Sequence, residues 1–344
     1  MTATTSTRDS FIIVGENIHC TRVRLTSGKF VETTADGESV LLFREGDATA
    51  RLPVPPSVLE SDGWKSGKVR HVAVAIWQGM YGGEPEQDLG RRYLRAMAAD
   101  QQANGAWFLD VNVDEFSVDQ DEKIRAMEWA VGVIQQVANV PLSIDSSDPR
   151  ILEAGLAACD ASLGKPMVNS VSLERAAFIP IAAAANACVI AGATGEERMP
   201  ESLDDRLTNV AALMQKIEAA GFAAGDVYLD PLVYPVSVDV KNAGTLIDSI
   251  KALRERYGAD IHFAPGLSNV SYGLPKRGVI NQVFARLCAD AGCDGGIVDP
   301  AQINSRILAA IDYNVEAYRL ARELLLGNDE FGMNYIMAVK EGRA

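Results

Sequence analysis

The side chains most able to do chemistry in this sequence are carboxylates and amides that follow short apolar runs. They are Asp110, Asn112, Asp145, Asn169, Asp230, Ser268 and Asn269. A carboxylate accepts two hydrogen bonds side by side, and an asparagine both donates and accepts. Such a set matches a flat heterocycle that displays an amide beside an exocyclic amine, as guanine and pterin do. Because Lys, His and Cys are missing from the set, it argues against covalent catalysis.

The sequence contains eight short apolar runs, and each run predicts a β-strand. The polar residues above lie in these runs, at or near their C-terminal ends. The runs cover residues 11–15, 106–113, 140–145, 166–170, 187–191, 226–230, 261–269 and 295–300. Runs this short and this continuously apolar are typical of parallel strands covered on both faces. Amphipathic helix patterns lie between them, and Ser202 with Asp205 predicts a capping box before one helix.

Eight strands that each lead into a helix predict an α/β fold, a (β/α)8 TIM barrel. A doubly wound open sheet is the alternative. In a barrel enzyme, the polar residues at the C-terminal ends of the strands are the candidates for chemistry. The set above stands at such ends. Each Asp taken alone could instead cap a helix, but the whole set favours a shared pocket.

One segment interrupts the alternation of strands and helices. We expect the barrel to comprise residues 1–17 and 87–344, with a β-rich insertion over residues 18–86. Ser27-Gly28 and Asp36-Gly37 predict hairpin turns, and residues 68–77 predict a further strand. Since the loop after a barrel strand lies on the catalytic face, we expect the insertion beside the active site as a lid, a docking surface or a structural embellishment.

Composition excludes several classes of protein. The formal net charge is −14, and an acidic surface of this kind repels the phosphate backbone of nucleic acids. No apolar run approaches the roughly 20 residues that span a bilayer, and the first ten residues lack the apolar segment of a signal peptide. Five cysteines without a CxxC pair fit reduced thiols and a cytoplasmic protein. Three scattered histidines predict no metal site.

The motifs GEN, FLDVNV, AMEW, PLSIDSSDPRILEAGL, MVNS, YLDPL and GLSNVSYGLP occur in this order. Their pattern resembles the pterin-binding methyltransferases, which move a methyl group between tetrahydrofolate and a corrinoid. That family includes methyltetrahydrofolate:corrinoid methyltransferases and the folate domain of cobalamin-dependent methionine synthase. The resemblance covers residues 11–17 and about 87–300. It implies a TIM barrel, usually dimeric, so we expect a homodimer.

The resemblance also implies roles for individual residues. Asp145, Asn169 and Asp230 would hold the pterin ring, and Asp110 with Asn112 would complete the pocket floor. Asn269 would reach the N5 region, with Ser268 beside it. Asn269 and Asp145 are the catalytic candidates, because an amide acting with water and carboxylates can polarise N5. Tetrahydrofolate or methyltetrahydrofolate would be the substrate. The cobalamin would be supplied by a partner corrinoid protein, since the chain shows no cobalamin-binding module.

Some residues depart from the family pattern, and other functions stay open. A start of the GERIN type reads GENIH here, so that Asn17 and His19 replace an Arg and an Asn. Dihydropteroate synthase would need a basic end of strand 7, whereas this chain has GLSNVSYGLP, with Lys276 and Arg277 further on. A non-catalytic pterin-binding protein and a different methyl acceptor site in the insertion are the remaining alternatives.

Overall fold

Each of the eight predicted apolar runs overlaps one strand of the protein. The computed structural model describes residues 11–344. Its strands are β1 (Ile12–His19), β2 (Val23–Leu25), β3 (Val31–Thr33), β4 (Ser39–Glu45), β5 (Ala48–Pro53), β6 (Lys68–Arg70), β7 (Phe108–Asn112), β8 (Leu142–Asp145), β9 (Met167–Val171), β10 (Cys188–Gly192), β11 (Val227–Asp230), β12 (His262–Phe263) and β13 (Gly295–Val298).

Eight of these strands form one sheet in the order β12-β11-β10-β9-β8-β7-β1-β13. A parallel bridge between Gly266 and Ile297 joins the segment after β12 to β13. Strands that neighbour one another in sequence also neighbour one another in the sheet, which is the arrangement of a (β/α)8 barrel. The predicted fold class is confirmed, and the doubly wound alternative is wrong because it would require the strand order to reverse.

Helices lie between the barrel strands, as predicted, and also in the segment after β1 and near the C-terminus. They are α1 (Pro56–Leu59), α2 (Asp62–Lys65), α3 (His71–Tyr81), α4 (Glu84–Ala103), α5 (Gln120–Ile134), α6 (Pro149–Ala158), α7 (Phe178–Ala184), α8 (Leu203–Ala219), α9 (Asn242–Tyr257), α10 (Arg277–Asp290), α11 (Ser305–Ala309), α12 (Glu316–Leu325) and α13 (Met333–Lys340). The capping box at the start of α8 is confirmed, with Ser202 and Asp205 satisfying each other's backbone donors. Across residues 11–344, every helix is too short or too polar to cross a membrane.

The described residues divide into two compact units. The C-terminal unit holds residues 11–14, Asn104–Trp107 and Met167–Ala344, and the N-terminal unit holds Gly15–Ala103 and Phe108–Pro166. In the C-terminal unit, Val189, Leu229 and Phe263 are fully buried in the core. In the N-terminal unit, Leu109 and Ile144 are buried in the same way. All five cysteines are free thiols, as predicted.

The segment after β1 contains two small antiparallel sheets. The strands β3, β4 and β5 form one, and β2 pairs with β6 in the other. The turn at Asp36-Gly37 joins β3 to β4 with Gly37 at φ +86°, so this predicted hairpin is confirmed. The hairpin predicted at Ser27-Gly28 is wrong, because β2 pairs with the distant β6 rather than with β3.

The strand predicted over residues 68–77 is also wrong beyond Arg70. There the chain continues as α3, which buries Val72, Ala75 and Ile76. The helix forms because it packs tightly on α4: a Cβ built on Gly90 would lie 2.5 Å from the carbonyl oxygen of Ala75. Tertiary packing therefore overrides the β propensity of this Val- and Ile-rich segment.

The strand predicted over residues 261–269 ends early, at Phe263. Pro265 lacks the N–H that a sheet ladder requires, so it stops the strand. The chain then turns into a 3-10 helix, Leu267–Ser271, which carries Ser268 and Asn269. These two residues thus lie on a turn after the strand and not on the strand itself.

Candidate active site

The ends of β1, β7 and β8 bring a polar cluster together in the N-terminal unit. His19 Nε2 lies 2.8 Å from Asp110 Oδ2. Asn112 donates its side-chain N–H to Asp145 Oδ2 at 3.0 Å. The parallel register of β7 and β8 pairs Asn112 with Asp145 directly, which explains this contact. We call His19, Asp110, Asn112 and Asp145 the N-terminal cluster.

The electrostatics of this cluster favour a bound proton. Burial raises the pKa of Asp145 to about 7, and the charge of Asp110 adds to the rise, while His19 and the bond from Asn112 oppose it. Burial disfavours a charged His19, but the hydrogen bond to Asp110 and the charges of Asp110 and Asp145 outweigh it and raise the pKa of that imidazole. The cluster can therefore take up or release a proton near neutral pH.

Sequence reasoning missed His19. The sequence predicts the first strand over residues 11–15, whereas β1 continues to His19 and ends beside β7. The ligand atoms of His19, Asp110 and Asp145 all lie within 4.8 Å of one another, so this group could hold a metal ion. The 2.8 Å contact between His19 and Asp110 is, however, that of a hydrogen bond. A histidine at a strand end, within a run that reads GENIH, is the signal that could have identified it.

The loop after β8 is fixed against the loop after β7. Asp114 accepts hydrogen bonds from Ser146 Oγ at 2.7 Å and from the backbone N–H of Ser147 at 3.0 Å. The helix α6 is capped by Asp148, whose side chain accepts from the backbone N–H of Arg150. Since Asp148 supplies this cap, Asp145 is available for another role.

In the C-terminal unit, Asn169 and Asp230 lie on the two strands that flank β10. The register pairs Ile190 with Asn169 and Gly192 with Asp230. The peptide bond between Asn169 and Ser170 is cis. Asp230 Oδ1 accepts from the backbone N–H of Leu232 at 2.9 Å, so it closes a turn rather than capping a helix.

Burial raises the pKa of Asp230 to about 6, although the Leu232 N–H and the charge of Arg206 act in the opposite direction. Arg206 is almost fully buried and donates from Nε to the carbonyl oxygen of Pro231 at 2.7 Å. It thereby holds the turn in which Leu232 adopts a φ of +66°. Sequence reasoning missed Arg206. The signal that could have identified it is a basic residue on the buried face of α8, one turn before Val210.

Ser268 and Asn269 lie on the 3-10 helix after β12. The side chain of Asn269 is exposed. A Cβ at Gly266 would lie 3.1 Å from Asn269 Nδ2, so this glycine leaves room for the amide. Arg277 donates from Nη2 to the carbonyl oxygen of Ser268 at 2.6 Å and from Nε to Ser271 Oγ at 2.9 Å. The turn that presents Asn269 is therefore anchored to the start of α10.

Comparison with known proteins identifies the family. The sequence model of a family described as "Pterin binding enzyme" matches residues 91–299, which are 209 of the 344 residues. The chain belongs to this family. The matched range begins in α4 and ends just after β13, and it contains every strand-end residue of the candidate site except His19.

Two curated relatives are each 28% identical to this chain over the aligned residues. The chain is similar to a methylcorrinoid:tetrahydrofolate methyltransferase from Eubacterium limosum, with 28% identity over 73% of this chain and 88% of that protein. It is also similar to a methionine synthase from Mycobacterium leprae, with 28% identity over 60% of this chain but only 18% of that longer protein.

Among solved structures, a dihydropteroate synthase from Stenotrophomonas maltophilia has the same fold. It is 17% identical and matches with a TM-score of 0.52 over 66% of this chain and 90% of that chain. At this level of identity the likeness concerns the barrel and not the reaction.

Proposed function

We propose that this chain is a methyltransferase that moves a methyl group between N5 of tetrahydrofolate and a corrinoid carried by a partner protein. The observation that carries the proposal is the set of carboxylates and amides on β8, β9 and β11 and on the 3-10 helix after β12, namely Asp145, Asn169, Asp230 and Asn269. It occurs in a pterin binding enzyme that is similar to a methylcorrinoid:tetrahydrofolate methyltransferase.

The pterin ring would be held by the acidic side chains. A carboxylate at Asp230 can accept from a ring N–H and from the exocyclic amine at the same time. Burial raises the pKa of Asp230 to about 6, so its free carboxylate is under-solvated and gains from such donors. Asn169 and Asp145, with Asp110 and Asn112 beside it, would supply the remaining hydrogen bonds to the ring.

The reaction requires a change of charge at N5. When the methyl group leaves for the cobalt of a reduced corrinoid, the carbon–nitrogen bond breaks and its electron pair stays on N5. A hydrogen bond or proton at N5 lowers the barrier. The exposed amide of Asn269 can donate to N5, and Asp145, with a pKa raised to about 7 by burial, can hold the proton. In the reverse direction, N5 attacks the methyl group on cobalt.

Dihydropteroate synthase is a weaker candidate. It needs basic side chains at the end of strand 7, and the nearest bases are already engaged. Arg277 donates to the carbonyl oxygen of Ser268, and the Lys276 ammonium donates to the carbonyl oxygen of Ala344. Both residues lie beyond the 3-10 helix that follows β12, and these bonds hold them there.

The test is a spectroscopic assay with purified protein, methyltetrahydrofolate and free cob(I)alamin. We expect methylcobalamin to form and to be seen in the cobalt absorbance. Tight folate binding by calorimetry without methyl transfer would instead indicate a non-catalytic pterin-binding protein or an enzyme that requires its corrinoid protein. Absence of both would refute the proposal. We further expect a homodimer, with a sedimentation mass of about twice 36.9 kDa.

A further inference from the structure

Positive charge is concentrated on the ribbon formed by β2 and β6. Residues 22–30 contain three basic residues and residues 65–70 contain three more, while neither segment contains an acid. Antiparallel pairing aligns Val23 with Arg70 and Leu25 with Lys68, so the two segments lie together. In a chain with a net charge of −14, a positive surface of this kind attracts anions locally.

A groove of about 270 Å³ lies in the N-terminal unit next to this ribbon. Its lining includes three arginines and three aromatic side chains. The arginines are Arg22, Arg24 and Arg44, and the aromatic residues are Phe30, His71 and Tyr93. We call it the arginine groove. Asp100 is the acidic residue in its lining.

Two of the three guanidinium groups are available to a ligand. Arg22 is engaged, since its Nη2 lies 2.7 Å from Glu16 Oε1. Arg24 stacks on the ring of Phe30 at 4.2 Å from its centroid. Within residues 11–344, neither Arg24 nor Arg44 forms an ion pair with a carboxylate.

His71 is the second observation that points to a ligand. Its side chain is 3% exposed, its Nδ1 lies 2.8 Å from the Tyr93 hydroxyl, and its Nε2 has no hydrogen-bond partner among the described residues. Burial lowers the pKa of His71 to about 3, and the charges of Arg24 and Arg22 add to this effect, so the ring is neutral. If the Tyr93 hydroxyl donates to Nδ1, the ring proton stands on Nε2 as an unsatisfied donor.

We propose that the arginine groove is an anion subsite that receives the γ-glutamyl carboxylates of the folate tail. This inference rests on the proposed function. Arg24 and Arg44 would pair with carboxylates, and His71 Nε2 would donate to one of them. Because Arg24 and Arg44 come from separate positions in the chain, they can pair with separate carboxylates of a γ-linked glutamyl tail.

The subsite lies within reach of the N-terminal cluster. Arg24 follows His19 by five residues, which span at most about 18 Å when extended. His19 in turn contacts Asp110 of that cluster. The groove and Asp145 therefore belong to the same unit, and Arg24 lies at most about 18 Å from the end of β1.

The experiment compares the dissociation constants of monoglutamyl and pentaglutamyl tetrahydrofolate by calorimetry. We expect the pentaglutamyl form to bind at least 10-fold more tightly. Arg24→Gln and Arg44→Gln should each weaken it about 3- to 10-fold and leave the monoglutamyl form unchanged. Arg51→Gln is the matched control, because Arg51 lies outside the groove on β5 and pairs with Glu32. The preference for the longer tail should also fall with added salt.

Equal dissociation constants for the two folates would overturn the subsite, while methyl transfer from the monoglutamyl substrate would leave the proposed function intact. Free γ-linked pentaglutamate, added without any pterin, tests the groove even if folate does not bind. It should shift the imidazole NMR signals of His71 in the wild type and not in the Arg24→Gln/Arg44→Gln double variant. No shift overturns the subsite. An equal shift with inorganic phosphate would indicate a general anion site and would likewise overturn the assignment to the tail.

Discussion

Replacing Asp230 by asparagine separates the cost of burying its charge from its contribution to ligand binding. The amide keeps the shape of the side chain. It also keeps an oxygen that can accept from the Leu232 N–H, which lies 2.9 Å from Asp230 Oδ1 in the wild type. It removes the negative charge and one acceptor. We therefore expect Asp230→Asn to raise the stability of the ligand-free protein and to lower its affinity for pterins.

The magnitude follows from the pKa of Asp230, which burial raises from 3.8 to about 6. Two pKa units correspond to about 3 kcal/mol. Because the pKa is raised in the folded state, this carboxyl favours folding fully below about pH 4, and its contribution is lost as the pH rises through about 6. At pH 8 the variant should gain up to about 3 kcal/mol over the wild type, an upper limit because Asp230 is partly exposed.

This free energy is measurable as a thermal midpoint. At about 2.1 cal/mol/K per residue, a chain of 344 residues unfolds with an entropy of about 0.7 kcal/mol/K. A gain of about 3 kcal/mol then raises the midpoint by about 4 °C at pH 8. The same comparison at pH 4 should show little gain. Pterin affinity should fall about 10- to 150-fold, the range for a lost charged hydrogen bond.

Scanning calorimetry between pH 4 and pH 8 provides the assay, with Asp260→Asn as the control for an exposed carboxylate just before β12. If the difference between Asp230→Asn and the wild type does not change with pH, the carboxylate is not under-solvated in the folded state and the reasoning fails. An unchanged dissociation constant for methyltetrahydrofolate would remove Asp230 from the proposed pocket.

Four other variants, one of them a control, test separate parts of the molecule. On the proposed mechanism, Asn269→Ala should lower kcat more than it weakens folate binding, because its amide would act on the transition state; equal losses in both would make it a binding residue. His19→Gln removes a positive neighbour that lowers the pKa of Asp145, so the limb of the pH–rate profile set by Asp145 should move to higher pH, and an unmoved limb would contradict this. Gly90→Ala should cost about 1–3 kcal/mol in thermal unfolding, since its Cβ would lie 2.5 Å from the backbone of α3. Gly132→Ala is the control, because nothing lies within 4 Å of its Cβ, and it should raise the free energy of unfolding by about 1 kcal/mol. Equal effects of Gly90→Ala and Gly132→Ala on stability would refute the packing argument.

The predicted barrel strands were recognised because each is a short apolar run that ends in a polar residue. The segment after β1 was harder to predict, since short elements there depend on distant partners. Residues 72–77 read VAVAIW, with β-branched residues at alternate positions as in a strand, yet they form part of α3 because Gly90 lets that helix approach α4. Likewise, Ser27-Gly28 makes a turn but not a hairpin, because β2 finds its partner more than forty residues later.

The sequence by itself determined the class of fold, the family and the acidic and amide side chains at the strand ends, because these depend on residue type and on local periodicity. Only the tertiary structure decided which neighbours those side chains meet. It placed His19 against Asp110, put Arg206 beneath the turn after Asp230, and left His71 Nε2 buried beside a group of arginines. The reason is physical: hydrogen bonds, burial and charge interactions act between residues 25 to 91 positions apart in the chain, and sequence spacing carries no record of such distances.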